Sequence, residues 1–306
     1  MRPWLVFTSA GDKSNVAQWL SGSAREFDLF VVYYGDLPEP VCALGADRFV
    51  RRKGGKFPNL KAAFADDPAY FASREAVFVM DDDVEIDCAA IHECFRVRRQ
   101  LDAWVLQPAY DLRKGKSSHE LLRSPIEAKV SSRVAMGADM AALAEVVSAR
   151  KFIRLGDHGE HRVRYVNFIE VTCPLFRNDI LLDFLAAYDG QLVGWGIDWW
   201  FCQRVLGQLD DRGRAEDKSR RTCLVVLDSC VCVNPLEQEK KGAADETREI
   251  DKLQSTQVRA NEWGKAVVKF GLRAQWMLRS FSAEEVSPGA PCHPVRPFPS
   301  SCGMLN

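Results

Sequence analysis

The sequence predicts an α/β domain built on a mostly parallel sheet flanked by helices, and three observations predict it. Short apolar runs alternate with stretches of helical spacing through the first third of the chain. The run Ala76-Val77-Phe78-Val79-Met80 is apolar at every position, as a strand covered on both faces requires. The chain has 306 residues, 47% hydrophobic and 27% charged, which is the composition of an ordinary globular protein with room for a sizeable core.

The elements follow in order. Trp4 to Thr8 reads as a first strand that stops at Ser9-Ala10-Gly11-Asp12, and Val16, Trp19 and Leu20 recur at helical spacing after it. Phe27 to Tyr34 is dense in β-branched and aromatic residues, predicts a second strand and ends at Gly35-Asp36. Arg48-Phe49-Val50 is a weaker third strand. Gly54-Gly55-Lys56 is a loop that leads into a helix over Pro58–Ala65. Ala76–Met80 runs straight into Asp81-Asp82-Asp83, a helix follows over Ala89–Leu101, and Ala103–Leu106 is a strand that closes at Gln107-Pro108. This alternation is the signature of helices on both faces of a parallel sheet.

The middle, Arg113 to Arg164, is polar and reads as long loops with one helix over Ala138–Ala149. Apolar character returns over Val166–Val171. Helices are expected over Ile180–Tyr188 and Trp199–Leu206, with Gly194-Trp195-Gly196-Ile197-Asp198 between them, and a strand over Cys223–Leu227. Asp245–Leu272 reads as a long charged amphipathic helical region, and the tail from Ser287 is rich in Pro and Ser.

Charge and cysteine content exclude several classes. With 41 basic and 42 acidic side chains the net charge is -1, against the basic excess of a general nucleic-acid binder. No apolar stretch approaches the ~20 residues that span a bilayer. The first apolar run, about four residues, is shorter than a signal-peptide core. On this reading the chain is cytoplasmic. Its 10 cysteines are scattered without a C-x-x-C pair, which predicts reduced, mostly buried thiols rather than a zinc site.

The chemistry concentrates at Asp81-Asp82-Asp83. Three adjacent carboxylates at the carboxyl end of a buried strand repel one another and resist desolvation, so a cation is expected there. Ligands of open α/β sheets bind beyond the carboxyl ends of the strands, and a hard ion, Mn²⁺ or Mg²⁺, completes its shell with phosphate and water. One-residue spacing sets Asp81 and Asp83 on the same side of an extended backbone. A solvated turn that caps the next helix is the plainer alternative. Gly194 and Gly196 would allow close backbone approach to a ligand, Trp195, Trp199 or Trp200 would stack on a sugar, and Asp198 would be a base or an N-cap. Glu170, inside Phe168-Ile169-Glu170-Val171, is either functional or a solvent-facing strand residue. Gly54-Gly55-Lys56 with Lys61 suits a diphosphate, although it is no P-loop. Asp157-His158-Gly159-Glu160-His161 reads as a polar loop.

Taken together, these segments resemble the family called domain of unknown function 707, read as GT-A-like glycosyltransferases. The segments that carry the resemblance are Val77-Phe78-Val79-Met80-Asp81-Asp82-Asp83, Gln107-Pro108-Ala109-Tyr110-Asp111, Phe168-Ile169-Glu170-Val171, Trp195-Gly196-Ile197-Asp198 and Val225-Val226-Leu227-Asp228-Ser229, with Lys56 and Lys61 matching a paired-lysine segment. They keep their order from Leu5 to Pro235. The resemblance implies a GT-A-like fold of the nucleotide-diphospho-sugar transferase kind over residues 1–240, with 113–165 as an acceptor-side insertion, a helical extension over 241–285 and a tail over 286–306. It implies a nucleoside diphosphate sugar as donor and a carbohydrate or glycoconjugate acceptor. The metal would sit on Asp81, Asp83 and Asn234, where the family has a histidine in place of the weaker ligand Asn234. Lys56, Lys61, Asp82, Gly194, Trp195 and Gly196 would bind the donor, and Asp198, with Glu170 second, would be catalytic. The departure at Asn234 keeps a non-catalytic nucleotide-sugar or carbohydrate-binding protein in view, and the aspartate cluster a metal-dependent phosphohydrolase.

Overall fold

The computed structural model describes residues 1–111, 122, 161–211, 223–235, 249–274 and 280–286. The first half alternates as its sequence predicts. Strand β1 (Trp4–Ala10) is followed by helix α1 (Val16–Trp19), then β2 (Phe27–Tyr33), β3 (Arg48–Arg51), α2 (Lys56–Asp66), α3 (Pro68–Ala72), β4 (Ala76–Asp81), α4 (Cys88–Leu101) and β5 (Val105–Tyr110). The second half holds β6 (His161–Val166), β7 (Leu175–Arg177), α5 (Asn178–Ala187), α6 (Ile197–Asp211), β8 (Leu224–Cys232), α7 (Glu249–Leu253), α8 (Thr256–Phe270) and β9 (Ser280–Val286).

The described strands form one nine-stranded sheet in the order β3-β2-β1-β4-β7-β5-β8-β6-β9. Strands β3, β2, β1 and β4 are mutually parallel, and β5 pairs parallel with β8. Strands β7 and β6 run against their neighbours, so all the other strands share one direction. β1, β2 and β5 are buried at every position, which fits their sequences, apolar on both faces.

Helix ends carry their own signals. Asp87 caps α4 by accepting from the Ala90 N–H at 2.8 Å, and Asp102 closes that helix in the left-handed conformation at φ 51°. Ser255 caps α8, which ends at Gly271, φ 63°. Edge-on and stacked rings hold α2, α5 and α6 together around Phe57, Phe184, Tyr188 and Phe201.

Several expectations change. Phe168–Val171 is a buried irregular segment between β6 and β7, not a strand. The 245–272 region divides into α7 and α8, broken where Ser255 starts a new helix, and the chain then returns to the sheet as β9. The helical extension expected over 241–285 therefore ends in a strand paired with β6. The helix expected over 138–149 and the tail from 287 lie outside the described residues. So does most of the Asp157–His161 cluster, of which His161 opens β6. The eight described cysteines are buried and form no disulfide with one another. Among the described residues, no helix is long and apolar enough to cross a membrane.

Candidate active site at the carboxyl edge of the sheet

The loops that leave β1, β2 and β4 converge because those strands are parallel and in register: Ala10 lies beside Tyr33, and Ser9 beside Asp81. The first loop grips the aspartate triad by its backbone. The Asn15 N–H donates to the Asp82 carbonyl at 2.7 Å, the Asn15 side-chain amide to the Asp83 carbonyl at 2.7 Å, and the Trp19 indole to the Val84 carbonyl at 2.8 Å. The triad is thus a fixed turn.

Its first two carboxylates go to different places. Asp81 Oδ1 pairs with Lys56 Nζ at 2.7 Å. Asp82 Oδ2 accepts from the Gly11 N–H at 2.8 Å and lies 3.4 Å from the Tyr34 hydroxyl. Desolvation and the charges of Asp83 and Asp81 push the Asp82 carboxyl up to about 7 from 3.8, and the Tyr34 phenol rises well above its ordinary range through burial and the same acids. Gly11 allows this packing, since a Cβ there would stand 2.8 Å from the Tyr34 ring.

Neither predicted donor lysine is turned outward. An ammonium group has three donors. Those of Lys56 have three acceptors at hand: Asp81 Oδ1, the Val171 carbonyl at 2.6 Å and the Thr172 carbonyl at 2.9 Å, and its side chain is only 8% exposed. Lys61 bonds the carbonyls of Leu185, at 3.3 Å, and Tyr188 at the end of α5. Lys56 stands inside the site and Lys61 outside it.

Thr172 is shared, because its carbonyl also accepts the Asp81 N–H at 2.8 Å. The segment 167–174 therefore lies against the triad and carries Glu170 with it. The Glu170 N–H donates to Gln107 Oε1 at 2.8 Å. The Tyr110 hydroxyl bonds its carboxylate, while Oε2 is buried without a hydrogen-bond partner. Burial, then the charge of Asp198, pushes the Glu170 carboxyl up to about 7 from 4.5. Asp198 itself is raised by burial from 3.8 to about 6, against the opposing bonds it accepts from the backbone N–H groups of Trp199, Val171 and Gly196. Its Oδ1 lies 2.9 Å from the Trp199 nitrogen.

The Gly194–Gly196 turn is used differently from the expectation. A Cβ on Gly194 would meet Ile250 of α7 at 2.5 Å, and one on Gly196, φ 98°, would meet the Trp263 ring of α8 at 2.8 Å. The glycines admit the carboxyl-terminal helices. Trp199 and Trp200 are buried, whereas Trp195 is 44% exposed and meets Trp263 edge-on.

Asn234 is buried at the end of β8, one residue past Val233, which exchanges both backbone hydrogen bonds with Glu85. That bridge brings Asn234 alongside the turn after the triad. Among the described residues no three His, Cys, Asp or Glu side chains converge to hold a metal ion. The side chains at hand, the carboxylates of Asp81 and Asp83 and the amide of Asn234, offer oxygen, the donor type that a hard ion takes together with phosphate and water.

Gly11, Asn15, Tyr34, Gln107, Tyr110 and Thr172 were not singled out as site residues by sequence. Gln107 and Tyr110 lie in one of the segments of the family resemblance, and Gly11 and Tyr34 sit where strands end, which is the signal that could have found them.

No family model matches the chain, and no curated protein matches its sequence. Solved structures similar to it include S. aureus TarS. TarS 1-349 has a TM-score of 0.39 and 12% identity over 66% of this chain and 54% of that one. TarS itself has a TM-score of 0.44 and 11% identity over 78% of this chain and 37% of that one. TarS 1-349 in complex with UDP-GlcNAc has a TM-score of 0.43 and 10% identity over 82% and 61%. The chain thus spans less than two thirds of each of these three relatives. Likeness at this level bears on neither substrate nor chemistry.

Proposed function

We propose that this chain is a GT-A-like glycosyltransferase that moves a sugar from a nucleoside diphosphate sugar to a carbohydrate or glycoconjugate acceptor. One observation carries the reading: a buried lysine, Lys56, pairs with the Asp81 carboxylate at the end of β4 and bonds the two backbone carbonyls that follow Glu170, whose carboxyl in turn feels the charge of Asp198 at the start of α6, all at the carboxyl edge of a parallel sheet, the position where α/β folds bind nucleotides. Asp81, Asp83 and Asn234 would hold Mn²⁺ or Mg²⁺, which when bound would act as a Lewis acid toward the leaving diphosphate. Asp82 and Tyr34 shape the donor side of the site. Lys56 serves the donor by fixing Asp81 and the Glu170 segment, Lys61 by bracing α2 against α5, and Gly194 and Gly196 by seating the helices behind Trp195. Glu170 and Asp198 form the acid pair on the acceptor side. Domain limits follow the same reading, with residues 1–240 as the catalytic unit and the later helices as its brace.

The test is a thermal-shift screen of UDP, GDP, CDP and their sugars, with and without Mn²⁺, followed by donor hydrolysis by wild type and Asp83→Ala. A nucleotide that binds the native state raises the melting temperature by mass action. Metal-dependent shifts and hydrolysis lost in Asp83→Ala are expected; full hydrolysis in that variant would remove the metal role. The second reading, a nucleotide-sugar-binding protein without turnover, draws on Asn234 and on the internal engagement of both lysines. It predicts binding without transfer across an acceptor panel.

A further inference from the structure

Within the acid pair, the surroundings of the two carboxyl groups differ in kind. Asp198 is fully engaged. It lies in the first turn of α6, where it accepts backbone N–H groups, and it also accepts the N–H of Val171 and so holds the residue next to Glu170. Glu170 is the reverse: its backbone is anchored on every side and one oxygen of its carboxyl group is not. Gln107 holds its N–H, Asp198 the following N–H, and Lys56 the next two carbonyls. Its Oε2 is buried and without a hydrogen-bond partner.

An unpartnered buried carboxylate oxygen costs free energy, and a protein that orients its peptide at four points around that cost is preorganised for a group yet to arrive. We propose that Glu170, and not Asp198, is the catalytic base of this site, and that Asp198 is its positioning residue. The inference rests on the glycosyl-transfer reading. The acceptor hydroxyl gives its proton to Glu170 Oε2 as its oxygen bonds to the anomeric carbon. The bond from that carbon to the diphosphate oxygen breaks, and the diphosphate leaves with the electron pair. The groups facing Glu170 are Asp198, Asp81, Lys56, Tyr110 and the thiol of Cys232. Lys56 is the one cation among them and its three donors are already engaged, so the unpartnered oxygen is left to accept from an incoming hydroxyl.

The experiment uses the full chain with UDP-glucose, UDP-N-acetylglucosamine and GDP-mannose, each with Mn²⁺ and with water as acceptor. Hydrolysis is measured from pH 5 to 9, nucleotide affinity by calorimetry, and stability by thermal unfolding, for wild type, Glu170→Gln, Asp198→Asn and Asp198→Ala. We expect the wild-type rate to rise with pH through one ionisation. Glu170→Gln should lose about 10²–10⁴-fold of the rate and its rising limb, at unchanged nucleotide affinity and with the melting temperature not lowered. Asp198→Asn, which still accepts backbone N–H groups, should keep the rising limb at a lower rate, with the limb displaced to lower pH, while Asp198→Ala should lose melting temperature. A Glu170→Gln protein that binds nucleotide and keeps a tenth or more of the rate overturns the assignment, as does an Asp198→Asn protein that loses the limb at full stability. A wild-type protein that binds none of the three sugars overturns the glycosyl-transfer reading itself.

Discussion

Lys56 and Asp81 meet at 2.7 Å, Nζ to Oδ1, across the gap between the start of α2 and the end of β4. Through the same ammonium group the triad is joined to the carbonyls of Val171 and Thr172, so one side chain sets the distance between the acids of β4 and Glu170. Two halves of the sheet that are far apart in sequence depend on it.

Replacement of Lys56 by Met keeps the aliphatic stem and removes all three bonds. Hydrogen bonds to charged groups are worth about 1.5–3 kcal/mol each, and the partial exposure of Asp81 makes its share small, so the two carbonyl bonds set a total loss of about 3–6 kcal/mol. Denaturant unfolding checks it. Lys61→Met should cost stability too, but should leave nucleotide affinity within about twofold. A Lys56→Met protein with wild-type stability and wild-type nucleotide affinity would contradict the linking role.

Stability should fall as pH rises through the neutral range. Glu170 is raised from 4.5 to about 7, Asp198 from 3.8 to about 6 and Asp82 from 3.8 to about 7. Between the unfolded and folded values the native state binds more protons than the unfolded chain, so the slope of unfolding free energy against pH is negative. The contribution is complete below pH 4 and is lost progressively up to pH 7, on the order of a few kcal/mol in total. Urea titrations at pH 5, 6, 7 and 8 measure it. Glu170→Gln and Asp82→Asn should each flatten the slope, and an unchanged slope in both would show that these acids are not the source.

The glycines of the second half divide by what surrounds them. Gly196→Ala places a methyl group 2.8 Å from the Trp263 ring at φ 98°, and should cost about 1–3 kcal/mol while loosening α8 toward limited proteolysis. Gly264→Ala, in the interior of α8 with nothing within 4 Å of the added carbon, should instead stabilise by about 0.5–1 kcal/mol. Thermal unfolding of the two variants side by side distinguishes them, and equal effects would contradict the packing account.

Asn234 offers a gain-of-ligation test. Imidazole is a better ligand than an amide for a transition ion such as Mn²⁺, so Asn234→His should tighten Mn²⁺-dependent nucleotide binding by about tenfold, or ~1.4 kcal/mol. A chelator should abolish the nucleotide-induced thermal shift in both proteins. A shift that survives chelation would separate nucleotide binding from the metal.

Much of the amino-terminal half was legible because each strand there is a local apolar run bounded by a local breaker. Ala76–Met80 before three aspartates, or Phe27–Tyr34 before Gly35, needs no distant partner to be recognised. The strands of the other half were not. β7 is three residues, Leu175–Arg177, too short to show a period, and β6 and β9 lie in polar stretches whose strand character comes from pairing with one another. The lysines show the same limit within the site. Their positions near the triad could be read from the chain, whereas their acceptors, carbonyls more than a hundred residues away, could not.

The amino-acid order alone determined the α/β class, the alternation of the first hundred residues and the place of the acids at a strand end, because these follow from hydrophobic period and local breakers. Tertiary structure alone decided which carboxyl oxygen is left without a partner, which lysine reaches the site, and that Gly194 and Gly196 receive helices. Those outcomes depend on which backbone groups meet across long loops, and a side chain's free donors and acceptors are known only after its neighbours have claimed theirs.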